Sequence, residues 1–192
     1  LQGRELRNLT VGILGTGKIG AAVIKNLSGF GCRILASDIR ENPSLKGLCT
    51  YVDNETLYKA CDIISLHMPL LESTRHFVNA ETIAKMKDGV TIINCARGEL
   101  MHIPDMIRGI ETQKIGALAL DVFDKEDGIY HENRRDDILS NRDMAYLRQF
   151  PNVIMTQHMA FYTDAAVQSM VYCGIEGLCD FARTGHTATE LV

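Results

Sequence analysis

Residues 10–38, TVGILGTGKIGAAVIKNLSGFGCRILASD, decide how the chain is read. Val11, Ile13 and Leu14 form a short apolar run suited to a buried strand. Gly15-Thr16-Gly17-Lys18-Ile19-Gly20 follows at once. Ile19, Val23, Ile24 and Leu27 then mark one apolar face at helical spacing, and Gly29 and Gly31 end that helix. A second apolar run, Ile34-Leu35-Ala36, finishes in Asp38. The order is strand, glycine turn, helix, strand, acid.

That order has a physical use. Gly15 permits a tight turn, Gly17 lets a pyrophosphate approach the backbone, and Gly20 lets the helix pack close to the strand. The helix start offers unpaired N–H groups and the positive end of its dipole to phosphate. Asp38 stands roughly 20 residues on, where a carboxylate can hold ribose hydroxyls. A carboxylate there repels a 2′-phosphate, which favours NAD over NADP, although Arg40 close by works the other way. Two other uses of such a segment stay open at this point: a tight turn in a sheet that binds nothing, and an S-adenosylmethionine site.

Working outward, the 192 residues suffice for one solid domain and part of another. Hydrophobic residues make up 46% and charged residues 23%, ordinary for a globular protein. A net charge of −4 argues against nucleic-acid or anionic-membrane surfaces, and no apolar run approaches the roughly 20 residues of a membrane span. The six cysteines are scattered without CxxC spacing and read as reduced, small hydrophobes of a cytoplasmic protein. The six histidines lack ligand spacing, so no metal site is expected. The chain does not open with Met. Leu1 to Asn8 reads as the end of a linker or helix feeding the first strand, and an N-terminal portion is expected to precede it.

Beyond Asp38, strands are expected at Cys49–Val52, Ile63–His67, Val90–Ile93, Ile115–Leu120 and Val153–Met155. Helices alternate with them. Asp53 or Asn54 caps one carrying Leu57, Tyr58 and Ala60. Asn79 caps one with Ile83, Ala84 and Met86 inward, ended by Gly89. Pro104 opens another with Met106, Ile107 and Ile110 buried. Asp127 to Asp143, with its Arg134-Arg135-Asp136-Asp137 run, reads as a solvated surface excursion. Thr163 caps a long last helix on which Val167, Met170, Val171, Gly174, Ile175, Leu178 and Phe181 share a face. The alternation implies an α/β fold, a Rossmann-type doubly wound parallel sheet whose ligands bind beyond the carboxyl ends of the strands.

Three residues at those ends form a chemical set. Arg97, after a buried strand, suits a bidentate pair with the carboxylate of a small acid, or with its carboxylate and keto oxygen. His158, after the last strand, suits a proton donor near neutral pH, and a carboxylate such as Glu126 would stabilise its charged form. Singly, Arg97 could instead satisfy nearby carbonyls, His158 pack in the core and Glu126 be a surface acid; together they suit reduction of a 2-keto acid, whose keto oxygen becomes an alkoxide as hydride arrives. A methyltransferase does not need it.

GRELRNLTVGILGTGKIG, DIISLHMPL, KMKDGVTIINCARGEL, KIGALALDVFDKE and PNVIMTQHMAFYTDAAV together resemble the D-isomer-specific 2-hydroxyacid dehydrogenases, in order and over most of residues 3 to 170. Similarity is greatest to the D-lactate dehydrogenase branch, including the dehydrogenase of vancomycin-resistance clusters. The resemblance implies catalytic roles for Arg97, Glu126 (rather than Asp124) and His158. It places Gly15, Thr16, Gly17, Lys18, Ile19, Gly20 and Asp38 at the dinucleotide. It sets His67, Met68, Pro69, Cys95, Ala96, Arg97, Asp121 and His158 along the nicotinamide half, with Asp121 near the carboxamide. Phe161 falls beside the substrate, simple core packing being the other reading. The chain departs from the family at Gln157, usually Pro, and at Leu100-Met101-His102, usually Leu-Val-Asp. The implied division is an NAD-binding domain over 1–162 and a helix over 163–192 returning to a substrate domain whose N-terminal part is missing. The implied activity interconverts a 2-keto acid and a D-2-hydroxy acid with NAD(H), pyruvate and D-lactate or a close analogue, in a homodimer. The alternative is an NAD(H)-sensing binding protein similar to the family's corepressors.

Overall fold

Among the described residues, seven parallel strands lie in the order β3-β2-β1-β4-β5-β6-β7. They are β1 (Thr10–Leu14), β2 (Arg33–Ser37), β3 (Thr50–Tyr51), β4 (Ile63–Leu66), β5 (Val90–Asn94), β6 (Ile115–Leu120) and β7 (Val153–Met155). The helices are α1 (Lys18–Ser28), α2 (Asn54–Ala60), α3 (Ala80–Lys85), α4 (Ile103–Glu111), α5 (Arg142–Leu147) and α6 (Asp164–Thr184). This computed structural model describes residues 3–131, 133 and 141–188, so the Arg134–Asp137 run lies outside the described residues. The chain separates into two compact units, Leu1–Gln157 and His158–Val192.

Alternation along the strands gives the first unit two cores. Val11, Ile13, Ile34 and Ala36 meet Ala21 and Ile24 of α1 on one face. Leu14, Leu35, Ile64, Leu66, Ile92 and Leu118 meet residues of α2 to α5 on the other. Gly12 belongs to that second face, where a Cβ would come within 2.7 Å of Cys61 Sγ and Leu57. The order reverses between β1 and β4, and this switch point is where a parallel sheet of this kind leaves a crevice.

Several expectations change. Ile19 is not on the buried face of α1: it is 66% exposed, and Gly20, Ala21 and Ile24 are the buried residues. Ala84 is exposed, and α3 stops at Lys85, with Gly89 (φ +75°) serving the turn into β5 instead. Asp53, not Asn54, caps α2 by accepting from Thr56 N. α5 arises where the sequence suggests irregular chain, capped by Asn141 and burying Met144 and Leu147. Of the six cysteines only Cys61 is buried, while Cys95, Cys173 and Cys179 are exposed.

In the second unit Thr163 caps α6, and Gly185 ends it in the left-handed region. No residue of α6 is buried, and Val171, Ile175 and Leu178 are exposed along one face. Among the described residues no helix is long and apolar enough to cross a membrane.

Candidate active site

The turn after β1 is built by what its glycines lack. Gly15 has φ +95°, and a Cβ there would come within 2.7 Å of His67 C and Met68 N, so the β4 terminus closes against it. A Cβ on Gly20 would overlap the Gly15 carbonyl oxygen. Gly17 differs: nothing lies within 4 Å of the position its Cβ would take. It is the N-cap of α1, and no side chain caps the helix's first amides. Gly15 and Gly20 therefore hold the turn together, and Gly17 leaves open space in front of uncapped N–H groups. That arrangement fits a dinucleotide pyrophosphate.

Asp38, one residue past β2, reaches back to the same turn. Its Oδ2 accepts from the Thr16 amide and hydroxyl, and its Oδ1 accepts from Arg40 N at 3.1 Å. Partial burial pushes this carboxyl up, but hydrogen bonds from the Thr16 and Arg40 backbone and the Thr16 hydroxyl outweigh it and hold the group below its usual value. It is thus an anion beside the cradle. Ile39 next to it is 98% exposed.

At the β4 end, His67 Nε2 lies 2.9 Å from Ser65 Oγ, and burial lowers the ring's affinity for a proton. His67 N also donates to Leu14 O at 2.7 Å, which ties this terminus to β1. Met68 is half-buried and Pro69 exposed beyond it.

The β5 and β6 ends form one assembly. Asn94, fully buried, accepts from Ala96 N at 2.9 Å and donates to Arg97 O at 2.8 Å, curling the chain through Cys95, Ala96 and Arg97. Arg97 is exposed at the turn, and its Nη1 donates to Ala96 O at 2.7 Å. Although Cys95 is exposed as a residue, desolvation of its thiol by the surrounding chain, then the Asp121 carboxylate, raises the thiol. A Cβ on Gly98 would overlap the backbone of Phe123 and Asp124, so the glycine lets the loop after β6 lie directly on the Arg97 turn. In that loop Asp121 is buried, accepts the Thr156 hydroxyl at its Oδ1 and donates its amide to Asn94 O at 3.0 Å. Glu126 Oε2 accepts from Phe123 N at 2.7 Å, and its carbonyl accepts from Ile129 N and Tyr130 N at 3.0 Å each.

The first unit therefore brings Gly15 to Gly20, Asp38, His67, Cys95 to Arg97, Asp121 and Glu126 to the carboxyl ends of its strands. His158 and Phe161 belong to the second unit. His158 has φ +55°, and the Phe161 ring meets Tyr162 edge-on at 6.0 Å. Sequence reading passes over Asn94, Thr156, Asn42 and Tyr51, all of which shape these turns. An Asn closing an apolar strand is the one available signal, for Asn94.

Comparison with known proteins agrees with this geometry. The model of the D-isomer specific 2-hydroxyacid dehydrogenase NAD-binding domain matches residues 1–160. An aromatic 2-oxoacid reductase of Clostridium sporogenes is 45% identical over 100% of this chain and 58% of its own length. A solved D-lactate dehydrogenase of Sporolactobacillus superposes with a TM-score of 0.94 at 35% identity, over 99% of this chain and 57% of that one. The NAD-complexed D-isomer specific 2-hydroxyacid dehydrogenase of Lactobacillus delbrueckii ssp. bulgaricus gives 0.90 at 32%, over 100% and 57%. The chain thus spans a little over half the length of these relatives. With its seven parallel strands and glycine turn, it belongs to the D-isomer specific 2-hydroxyacid dehydrogenase family, and residues 1–160 are that family's NAD-binding domain.

Proposed function

We propose that the protein reduces a 2-keto acid to the D-2-hydroxy acid, and runs the reverse, with NAD(H). When bound, NADH supplies the hydride. Gly17, the uncapped amides of α1, Thr16, Lys18 and Ile19 would hold the pyrophosphate side, and Asp38 the adenosine ribose. His67, Met68, Pro69, Cys95, Ala96 and Asp121 would line the nicotinamide side. Arg97 anchors the substrate carboxylate and polarises the keto group, because its fork matches two oxygens at once. His158 protonates the oxygen as it gains charge, and Glu126 is assigned as the third member of the catalytic set. Phe161 is assigned to the substrate side chain.

One observation carries this reading: the bare face of Gly98 seats the Glu126 loop on the Arg97 turn, at the same strand ends as the glycine cradle. We further propose the domain division at 162/163, with α6 returning to a substrate domain, and a cytoplasmic homodimer. The division and the homodimer rest on the family resemblance, and the compartment on the scattered cysteines without CxxC spacing. Pyruvate is the favoured substrate, given the D-lactate dehydrogenase neighbours, and the Clostridium reductase makes phenylpyruvate the natural competitor. The test is NADH oxidation by the full-length protein with each keto acid. His158→Ala should lower turnover roughly 10²- to 10⁴-fold with NADH affinity retained. Lost affinity with retained turnover would refute the proton-donor role.

A further inference from the structure

We propose that Tyr51 is a positioning residue for coenzyme choice, acting on Asp38 through Thr16. Four groups form a one-way chain. Asn42 N donates to Tyr51 Oη at 2.9 Å, Tyr51 Oη donates to Thr16 Oγ1 at 3.0 Å, and Thr16 Oγ1 donates to Asp38 Oδ2 at 3.0 Å. The direction is forced, because an amide N–H only donates and an ionised carboxylate only accepts. Each hydroxyl in between has a single proton, so each must pass its donation onward. Successive bonds of this kind polarise one another. Asn42 Nδ2 closes the frame by donating to Thr16 O at 3.1 Å. Thr16 itself is buried, at 3% exposure, so its hydroxyl has no water with which to replace these partners.

Tyr51 stands on the short edge strand β3, opposite Ala36 of β2, and is tied to the cradle through this hydroxyl. A carboxylate can accept about four hydrogen bonds, and Asp38 already accepts three from the protein. Its remaining capacity is therefore aimed, not free to rotate. An aimed anion rewards a ribose hydroxyl and repels a 2′-phosphate. When the Thr16 hydroxyl's donation weakens, the anion is held less firmly, by the Thr16 and Arg40 amides alone, which weakens the first effect and relaxes the second.

The inference rests on the reading of Asp38 as the ribose-binding acid, and the experiment separates the two. NADH and NADPH are titrated by fluorescence against the wild-type chain and against Tyr51→Phe, Thr16→Val, the double variant and Asp38→Asn. Apo thermal midpoints are recorded alongside. Tyr51→Phe keeps the ring and removes only the hydroxyl. It should weaken NADH roughly five-fold, the value of one hydrogen bond, and narrow the preference for NADH over NADPH. In the Thr16→Val background the same change should have no effect on either cofactor. In the full-length protein KM for NADH should rise while kcat stays. If Tyr51→Phe matches the wild type for both cofactors while Asp38→Asn loses NADH, the positioning role is overturned and the cofactor reading stands. If its effect persists in the Thr16→Val background, the route through the Thr16 hydroxyl is wrong. If Asp38→Asn binds NADH normally, the cofactor reading fails and this inference fails with it.

Discussion

Replacing Gly17 and Gly20 in turn by alanine should separate binding from folding. At Gly17 the new methyl enters open space, with nothing within 4 Å, and φ −63° suits alanine. Alanine is a poorer N-cap than glycine, so the apo thermal midpoint should fall slightly, by no more than about 2 °C. The same methyl stands where a pyrophosphate must approach. Losing one hydrogen bond to a charged group costs about 1.5–3 kcal/mol, so NADH affinity should fall roughly 10- to 100-fold. At Gly20 the methyl overlaps the Gly15 carbonyl oxygen, and it would also lie within 3.4 Å of His67 Cβ. No rotamer relieves a clash with backbone. Overpacking of this kind costs about 1–3 kcal/mol, so the midpoint should fall by roughly 3–10 °C even without cofactor. Scanning fluorimetry of the apo protein and NADH titration read the two quantities independently. Gly17→Ala binding NADH normally, or unfolding as early as Gly20→Ala, would refute the division of labour between the glycines.

Other expectations are simpler to state. Arg97→Lys keeps the charge but loses the planar fork, so kcat/KM for the keto acid should fall at least about 10²-fold with NADH affinity unchanged; stopped-flow reduction and NADH titration check both. Gly98→Ala drives a methyl into the Phe123–Asp124 backbone, and the same overpacking range of about 1–3 kcal/mol applies, read by chemical denaturation together with loss of turnover. Burial holds His67 with a lowered proton affinity, so the unfolded chain binds the proton more readily. Stability should therefore decline as pH falls below about 6.5, the ordinary histidine value, and His67→Gln should flatten that slope in melts taken from neutral to mildly acid pH.

Much of this was legible in the residues because local chemistry and global fold agree. The strands other than β3 are largely apolar runs ending in polar turns, and Asp53, Asn79 and Thr163 accept from the first amides of α2, α3 and α6. Ile19 misleads because periodicity records apolar character and not its destination, and an apolar residue at the mouth of a cradle is spaced like a core residue. α5 escapes because a six-residue helix completes fewer than two turns and its charged flanks dominate the window. The chain from Asn42 through Tyr51 and Thr16 to Asp38 joins three segments that meet only once β3 pairs with β2. No spacing rule carries that information. His158 stands out by its place three residues beyond β7 and by the family resemblance, and its role stands as a proposal.

The most direct test of the account is transfer of label. The full-length protein is given NADH deuterated at the nicotinamide C4 together with pyruvate or phenylpyruvate, and the product is analysed for deuterium at C2 and for configuration. Deuterium at C2 of a D-2-hydroxy acid, formed at least about 10²-fold more slowly by Arg97→Lys and His158→Ala, is the predicted result. Tight NADH binding without any labelled product, or label in the L-isomer, would contradict the account.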